Sequence, residues 1–104
     1  MDVMKSGQIT AAQANATARK VMDDGGYGPE FSHRLGHGIG VTVHEPPWLD
    51  VVDDTVLQAG MTFTVEPSIR IANGYHNRVE DVILVTEAGG VSLYGTDHRL
   101  YLVG

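Results

Sequence analysis

MTFTVEPSIRIANGYHNRVEDVILVT, residues 61–86, decides how this chain folds. Its flanks, 61–71 and 79–86, are rich in Thr, Val, Ile, Phe and Leu, many of them branched or aromatic side chains that suit a pleated, half-buried surface. Between them stands Asn73-Gly74, the pair that most readily takes the positive φ of a tight hairpin turn. Two antiparallel strands are therefore predicted. A turn centred on Asn73 puts Glu66 opposite Glu80, whereas a strict two-residue turn puts Glu66 opposite Asp81. In both registers two carboxylates stand on neighbouring strands, inside segments otherwise apolar enough to be core. Like charges placed opposite each other destabilise a sheet, and burying an unpaired ion costs several kcal/mol. A divalent cation compensates directly. Carboxylate oxygens are good ligands for Mn, Zn, Fe and Co, and a neutral imidazole completes a mixed N/O site.

The imidazole is found upstream, where residues 31–44 carry His33, His37 and His44 together with Gly36, Gly38 and Gly40. Glycine has no Cβ, so a strand threaded by alternating glycines lets another chain, a metal or a substrate approach its backbone closely. His37, with glycine on both sides, is the ligand candidate, and His33 and His44 line the cleft beside it. Earlier still, Thr10 followed three residues later by Gln13 reads as a capping box. Ala14, Ala18, Val21 and Met22 then share one helical face until Gly25-Gly26, which predicts a helix over 11–24. Tyr27-Gly28-Pro29-Glu30 reads as a loop, Glu87-Ala88-Gly89-Gly90 as a turn and residues 91–94 as a short third strand. Pro46-Pro47-Trp48-Leu49 reads as a rigid loop, with a pocket wall as the alternative, and Asp50, Asp53 and Asp54 read as a solvated loop. Without repeats or linkers, the chain is expected to be one α+β unit, a helix packed on an antiparallel sheet.

At 104 residues there is room for one modest core, and 42% hydrophobic with 19% charged residues is an ordinary globular composition. No apolar run is long enough to cross a bilayer, so no membrane partner is expected. The start, Met1-Asp2-Val3-Met4-Lys5, has neither the basic head nor the apolar core of a secretory signal, and cysteine is absent. Both point to the cytoplasm. A net charge of -6 with scattered Lys and Arg offers no basic patch for nucleic acid, while an excess of carboxylates fits cation binding.

Three ordered blocks carry a resemblance. His33-Arg34-Leu35-Gly36-His37-Gly38-Ile39-Gly40, followed by His44-Glu45-Pro46-Pro47, resembles the histidine motif of the prolidase and aminopeptidase P branch of the creatinase, prolidase and methionine aminopeptidase ("pita-bread") family. Gly60-Met61-Thr62-Phe63-Thr64-Val65-Glu66-Pro67 is similar to the segment holding that family's first glutamate ligand, and residues 78–86 to the segment holding its second. The helix over 11–24 resembles the one preceding the histidine motif, so the resemblance covers almost the whole chain. It implies half of a pita-bread fold, a helix on a curved antiparallel sheet, with residues 1–104 a single partial domain, the C-terminal half of a catalytic domain.

The resemblance further implies His37, Glu66 and Glu80 as metal ligands, with Glu80 bridging two ions and Glu66 also shuttling a proton. His33 and His44 would hydrogen-bond substrate and the tetrahedral intermediate, and Arg78 would orient the bridging carboxylate. The implied function is a metal-dependent exopeptidase that hydrolyses Xaa-Pro bonds in peptides with proline second. The alternatives are a creatinase-like amidinohydrolase, a lyase of the same fold, or a non-catalytic peptide-binding module. Taken singly, each side chain has a blander reading, as a structural histidine, an exposed strand carboxylate or a surface ion pair; one shared site explains them together.

The family's dinuclear centre also uses two aspartates on strands ahead of the helix, and no aspartate of this chain stands in such a position. The chain is therefore expected to be a fragment that holds at most one of the two divalent ions (Mn, Zn, Co or Fe) of the complete enzyme and is inactive alone. An apolar face left uncovered by the missing half is expected to drive homodimerisation.

Overall fold

The computed structural model describes residues 4–31, 33–70 and 76–94. Thr10 caps α1 (Ala11–Asp24) as predicted. Its hydroxyl accepts the Gln13 N–H at 3.1 Å, and Gln13 Oε1 accepts the Thr10 N–H at 2.9 Å. At the far end Gly26 turns left-handed at φ +84°, and the Gly26 and Tyr27 N–H groups close onto the Asp23 and Met22 carbonyls in a Schellman exit. Ala11, Ala14 and Asn15 are buried, and Ala18 and Met22 pack partly against the core. Val21, expected on that same face, is 66% exposed, because it stands one 100° helical step away from Met22, at the edge of the stripe. The predicted loop that follows winds into a 3-10 turn, Gly28–Glu30. Arg19 pins it, donating to the Gly28 carbonyl at 2.6 Å and to the Phe31 carbonyl while its guanidinium lies over the Phe31 ring.

One antiparallel sheet runs in the order β2 (Glu45–Leu49), β1 (Gly36–Gly38), β3 (Thr62–Val65), β6 (Asp81–Thr86) and β7 (Gly89–Ser92). A separate ladder pairs β4 (Ser68–Arg70) with β5 (His76–Arg78). In the hairpin Thr62 faces Leu84, Val65 faces Asp81, and beyond them Ser68 faces Arg78. Both ladders keep the register in which Glu66 falls opposite Glu80, the one expected from a turn centred on Asn73. Asn73 and Gly74 themselves lie outside the described residues. The strand predicted over 61–71 is broken in the middle, into β3 and β4, while the one predicted over 79–86 is continuous but begins only at Asp81. Pro67 has no N–H to donate, and the Glu66 N–H turns away from the partner strand to the Leu35 carbonyl at 2.8 Å.

Two further expectations are corrected. Residues 46–49, read as a loop, lie within β2, and β7 begins at Gly89 instead of residue 91, so that only Glu87 and Ala88 remain in the turn. Prolines count against a strand only where its N–H groups are needed, and β2 is the outermost strand of its sheet. The core joins α1 to one face of the sheet through Ala11, Ala14, Phe31, Leu35, Leu49, Leu57, Phe63, Ile83 and Val85. Each large side chain buried there stabilises the fold by about 1.5–3 kcal/mol relative to exposure.

Candidate metal centre

His37 sits at the centre of β1, between two close backbone approaches that only glycine permits. A Cβ on Gly36 would lie 1.7 Å from the Thr64 carbonyl oxygen, and one on Gly38 would lie 2.6 Å from that of Glu45. This closeness lets the His37 N–H donate to the Thr64 hydroxyl at 3.2 Å while Trp48 stands opposite on β2. The result is a 5% exposed imidazole with a fixed ring. Its Nδ1 lies 2.9 Å from the Gly38 carbonyl, which can only accept, so Nδ1 carries the hydrogen. The lone pair of the neutral ring is therefore on Nε2, and Nε2 lies 3.3 Å from Glu66 Oε2.

Glu66 reaches this position because the ladder breaks at its own residue and its N–H ties the strand to Leu35. Its side chain is 17% exposed, and its other oxygen lies 3.6 Å from Arg78 Nη1. Two lone-pair donors facing each other at 3.3 Å need a positive charge between or beside them. A proton on the imidazole supplies it. A metal ion does so equally well, since two N/O ligands at about 2.0–2.2 Å from one ion lie roughly 3 Å apart. The hydrogen bond from the far ring nitrogen to a backbone carbonyl is the usual outer support of a ligating histidine.

His33, His37, His44, Glu66 and Arg78 all line one open cavity of about 430 Å³, together with Arg34, Gly36 and Asp50. The His44 ring centroid lies 4.3 Å from that of His37. The turn that carries His44 is shaped by Glu45, which accepts from the Thr42 hydroxyl at 2.7 Å and the Thr42 N–H at 3.2 Å. These bonds, the hydroxyl first, hold the Glu45 carboxyl below its ordinary pKa. Glu80 is placed differently. It lies opposite Glu66 in register, yet it is exposed and does not line the cavity. Arg78, expected to orient Glu80, instead approaches Glu66. Among the described residues no group of three or more His, Asp and Glu side chains is gathered closely enough to hold a metal ion. The donors present fit an ion as a pair, His37 with Glu66.

Asp50 and Asp53, read as part of a solvated loop, are in fact half-buried, and Arg34 was given no role. Asp50 lines the cavity, with one oxygen accepting the Val52 and Asp53 N–H groups, both at 2.9 Å. Asp53 accepts the Trp48 N–H at 2.7 Å, and the Thr55 hydroxyl, ahead of that bond, holds its carboxyl below the ordinary range. Arg34 also lines the cavity, its guanidinium 4.5 Å from the Trp48 ring centroid. An Asp-x-x-Asp spacing before Thr55 was the available signal for the turn; Arg34 carried none beyond its place beside His33.

The chain is 43% identical over 95 residues to the probable dipeptidase PepE of Mycobacterium tuberculosis, matching 91% of this chain and 25% of that protein. To the Xaa-Pro dipeptidase of Pyrococcus horikoshii it is 44% identical over 92 residues, covering 88% of this chain and 26% of the relative. The crystal structure of dipeptidase PepE from Mycobacterium ulcerans superposes with a TM-score of 0.89 at 42% identity, over 95% of this chain and 26% of that one. The chain thus spans about a quarter of the length of the curated relatives it matches. The α+β arrangement, a helix on an antiparallel sheet, is that of the pita-bread fold. Residues 1–87 match the model of metallopeptidase family M24, and the chain belongs to that family.

Proposed function

We propose that the chain supplies the histidine and glutamate side of the active site of a metal-dependent exopeptidase that hydrolyses Xaa-Pro bonds, using a divalent ion such as manganese. The observation that carries this is the 3.3 Å approach of His37 Nε2 to Glu66 Oε2 with the ring tautomer set by Gly38. Relatives named Xaa-Pro dipeptidase and probable dipeptidase support the reaction class. His37 and Glu66 would hold the ion, with Glu80 as the third ligand drawn in from the opposite strand. Such an ion supplies Lewis-acid chemistry, an acidified water and a polarised carbonyl. Glu66, which Arg78 approaches, accepts and returns the proton of the attacking water. His33 and His44 donate to the substrate carbonyl and to the negative charge that develops on it. Creatinase-like amidinohydrolase or lyase chemistry is the rival within the fold; a metal-free peptide-binding module is disfavoured by the retained donor pair.

No second carboxylate pair stands beside His37 among the described residues, so the 104-residue chain by itself is expected to bind one ion and hydrolyse nothing. The apolar groove along α1, lined by Met4, Ala14, Ala18, Met22, Val65 and Pro67, is the surface through which a homodimer would form. The test is a Mn²⁺ titration followed through the His37 ring protons. Broadening at one equivalent, weakened at least about tenfold by Glu66→Gln, is expected; an ion that leaves His37 untouched sinks the assignment. In a longer chain that adds the two aspartates, cleavage of Ala-Pro with creatine left intact separates peptidase from amidinohydrolase.

A further inference from the structure

Asn15 is the polar side chain that α1 turns to the core. It is 3% exposed, on a face otherwise made by Ala11, Ala14, Ala18 and Met22, where an amide is costly unless it is hydrogen-bonded. Its Oδ1 accepts the Leu35 N–H at 2.9 Å. The same N–H reaches the Leu49 carbonyl at 2.8 Å, and the Leu35 carbonyl accepts the Glu66 N–H at 2.8 Å. The backbone of one residue thus joins α1, β2 and the segment that carries Glu66.

Leu35 stands two positions before His37, so an anchor on it acts on both members of the donor pair, whose nitrogen and oxygen approach to 3.3 Å. The sheet supplies little of this anchoring. Among the described residues the register of β1 with β3 is confined to Gly38 opposite Phe63, and the His37 N–H goes to a side chain, the Thr64 hydroxyl. Where ladder bonds are sparse, a buried side chain that binds the backbone fixes the local geometry. Removing the Asn15 oxygen leaves the Leu35 N–H its bond to Leu49, so the sheet persists. What is lost is the tie from the helix.

We propose that Asn15 is a positioning residue for the metal centre. Through Leu35 it fixes where Glu66 stands relative to His37, and so sets how tightly the pair holds a divalent ion. This rests on reading His37 and Glu66 as ion ligands. The chain is followed by amide hydrogen exchange without metal and by Mn²⁺ broadening of the His37 ring signals. Asn15→Leu keeps most of the volume and Asn15→Ala keeps the helix preference, and both remove the acceptor. Each is expected to speed exchange of the Glu66 amide at least about tenfold more than that of Val85, whose N–H is bound to the Met61 carbonyl at 2.9 Å in the same sheet. Each should also weaken the Mn²⁺ response about tenfold. Asn15→Asp, which can still accept the Leu35 N–H, should stay within about threefold of the unaltered chain in both measurements.

Equal acceleration at Glu66 and Val85, or loss of the fold in both variants, makes Asn15 a structural residue only and overturns the proposal. So does an unchanged Glu66 amide, or an Asn15→Asp chain as impaired as Asn15→Leu. An ion at His37 whose affinity ignores Asn15 removes the positioning role and leaves the metal assignment standing. Without Mn²⁺ broadening at His37 in the unaltered chain, the metal assignment falls and the amides alone decide. A Glu66 amide that then loosens by itself keeps the role of Asn15 in placing Glu66, and one that does not removes it.

Discussion

Gly36 has the least freedom of any residue near the site. A methyl group there would meet the Thr64 carbonyl oxygen at 1.7 Å, and because that atom is backbone within β3, no side-chain rotation relieves the clash. Gly36→Ala is expected to cost about 3 kcal/mol, read as a lowered urea midpoint with an unchanged slope. Gly38 is confined in the same way by the Glu45 and Pro46 carbonyls. The alternating glycines were legible as a place where another strand or a ligand comes close. Which neighbour comes close was not, since that depends on β1 lying between β2 and β3. Likewise His37 and Glu66 could each be picked out as a ligand, but the approach of Arg78 to Glu66 instead of Glu80 depends on where the ladder breaks.

Local chemistry settles elements to different degrees. For α1 it settles both ends: Thr10 with Gln13 begins it, Gly25-Gly26 ends it, and the observed span coincides with the predicted one. Thr10→Ala removes the hydroxyl that accepts the Gln13 N–H and is expected to cost about 1 kcal/mol, seen as a lower thermal midpoint. The hairpin was legible too, but its register stood open between Glu66 opposite Glu80 and Glu66 opposite Asp81 until the observed pairing decided for the first. Its interruption was signalled by Pro67, which cannot donate to a ladder. Two prolines hid β2, and only its place at the sheet edge makes them tolerable. Gly89 and Gly90 read as turn residues, yet both pair with β6, opposite Thr86 and Val85.

Viewed as one body, the molecule has two unlike surfaces. One is the polar cavity at His37; the other is the apolar groove beside α1, which continues past Met22 and Pro67 to Ile69 and Val79. If the groove is covered by a second copy, sedimentation velocity should give the mass of a dimer at micromolar concentration, and Met22→Asp should return it to a monomer. A monomer at all concentrations counts against that pairing. Residue types and their spacing were enough to name the helix and the hairpin, because capping and alternation act over a few neighbouring positions. Folding in space alone settled that His37 and Glu66 share a point while Glu80 stays outside it, that Arg34 rests on Trp48, and that a proline-rich run becomes an edge strand. Those outcomes depend on contacts between segments far apart along the chain, and a side chain's distant neighbours are set by how the sheet and helix pack, not by its position in the sequence.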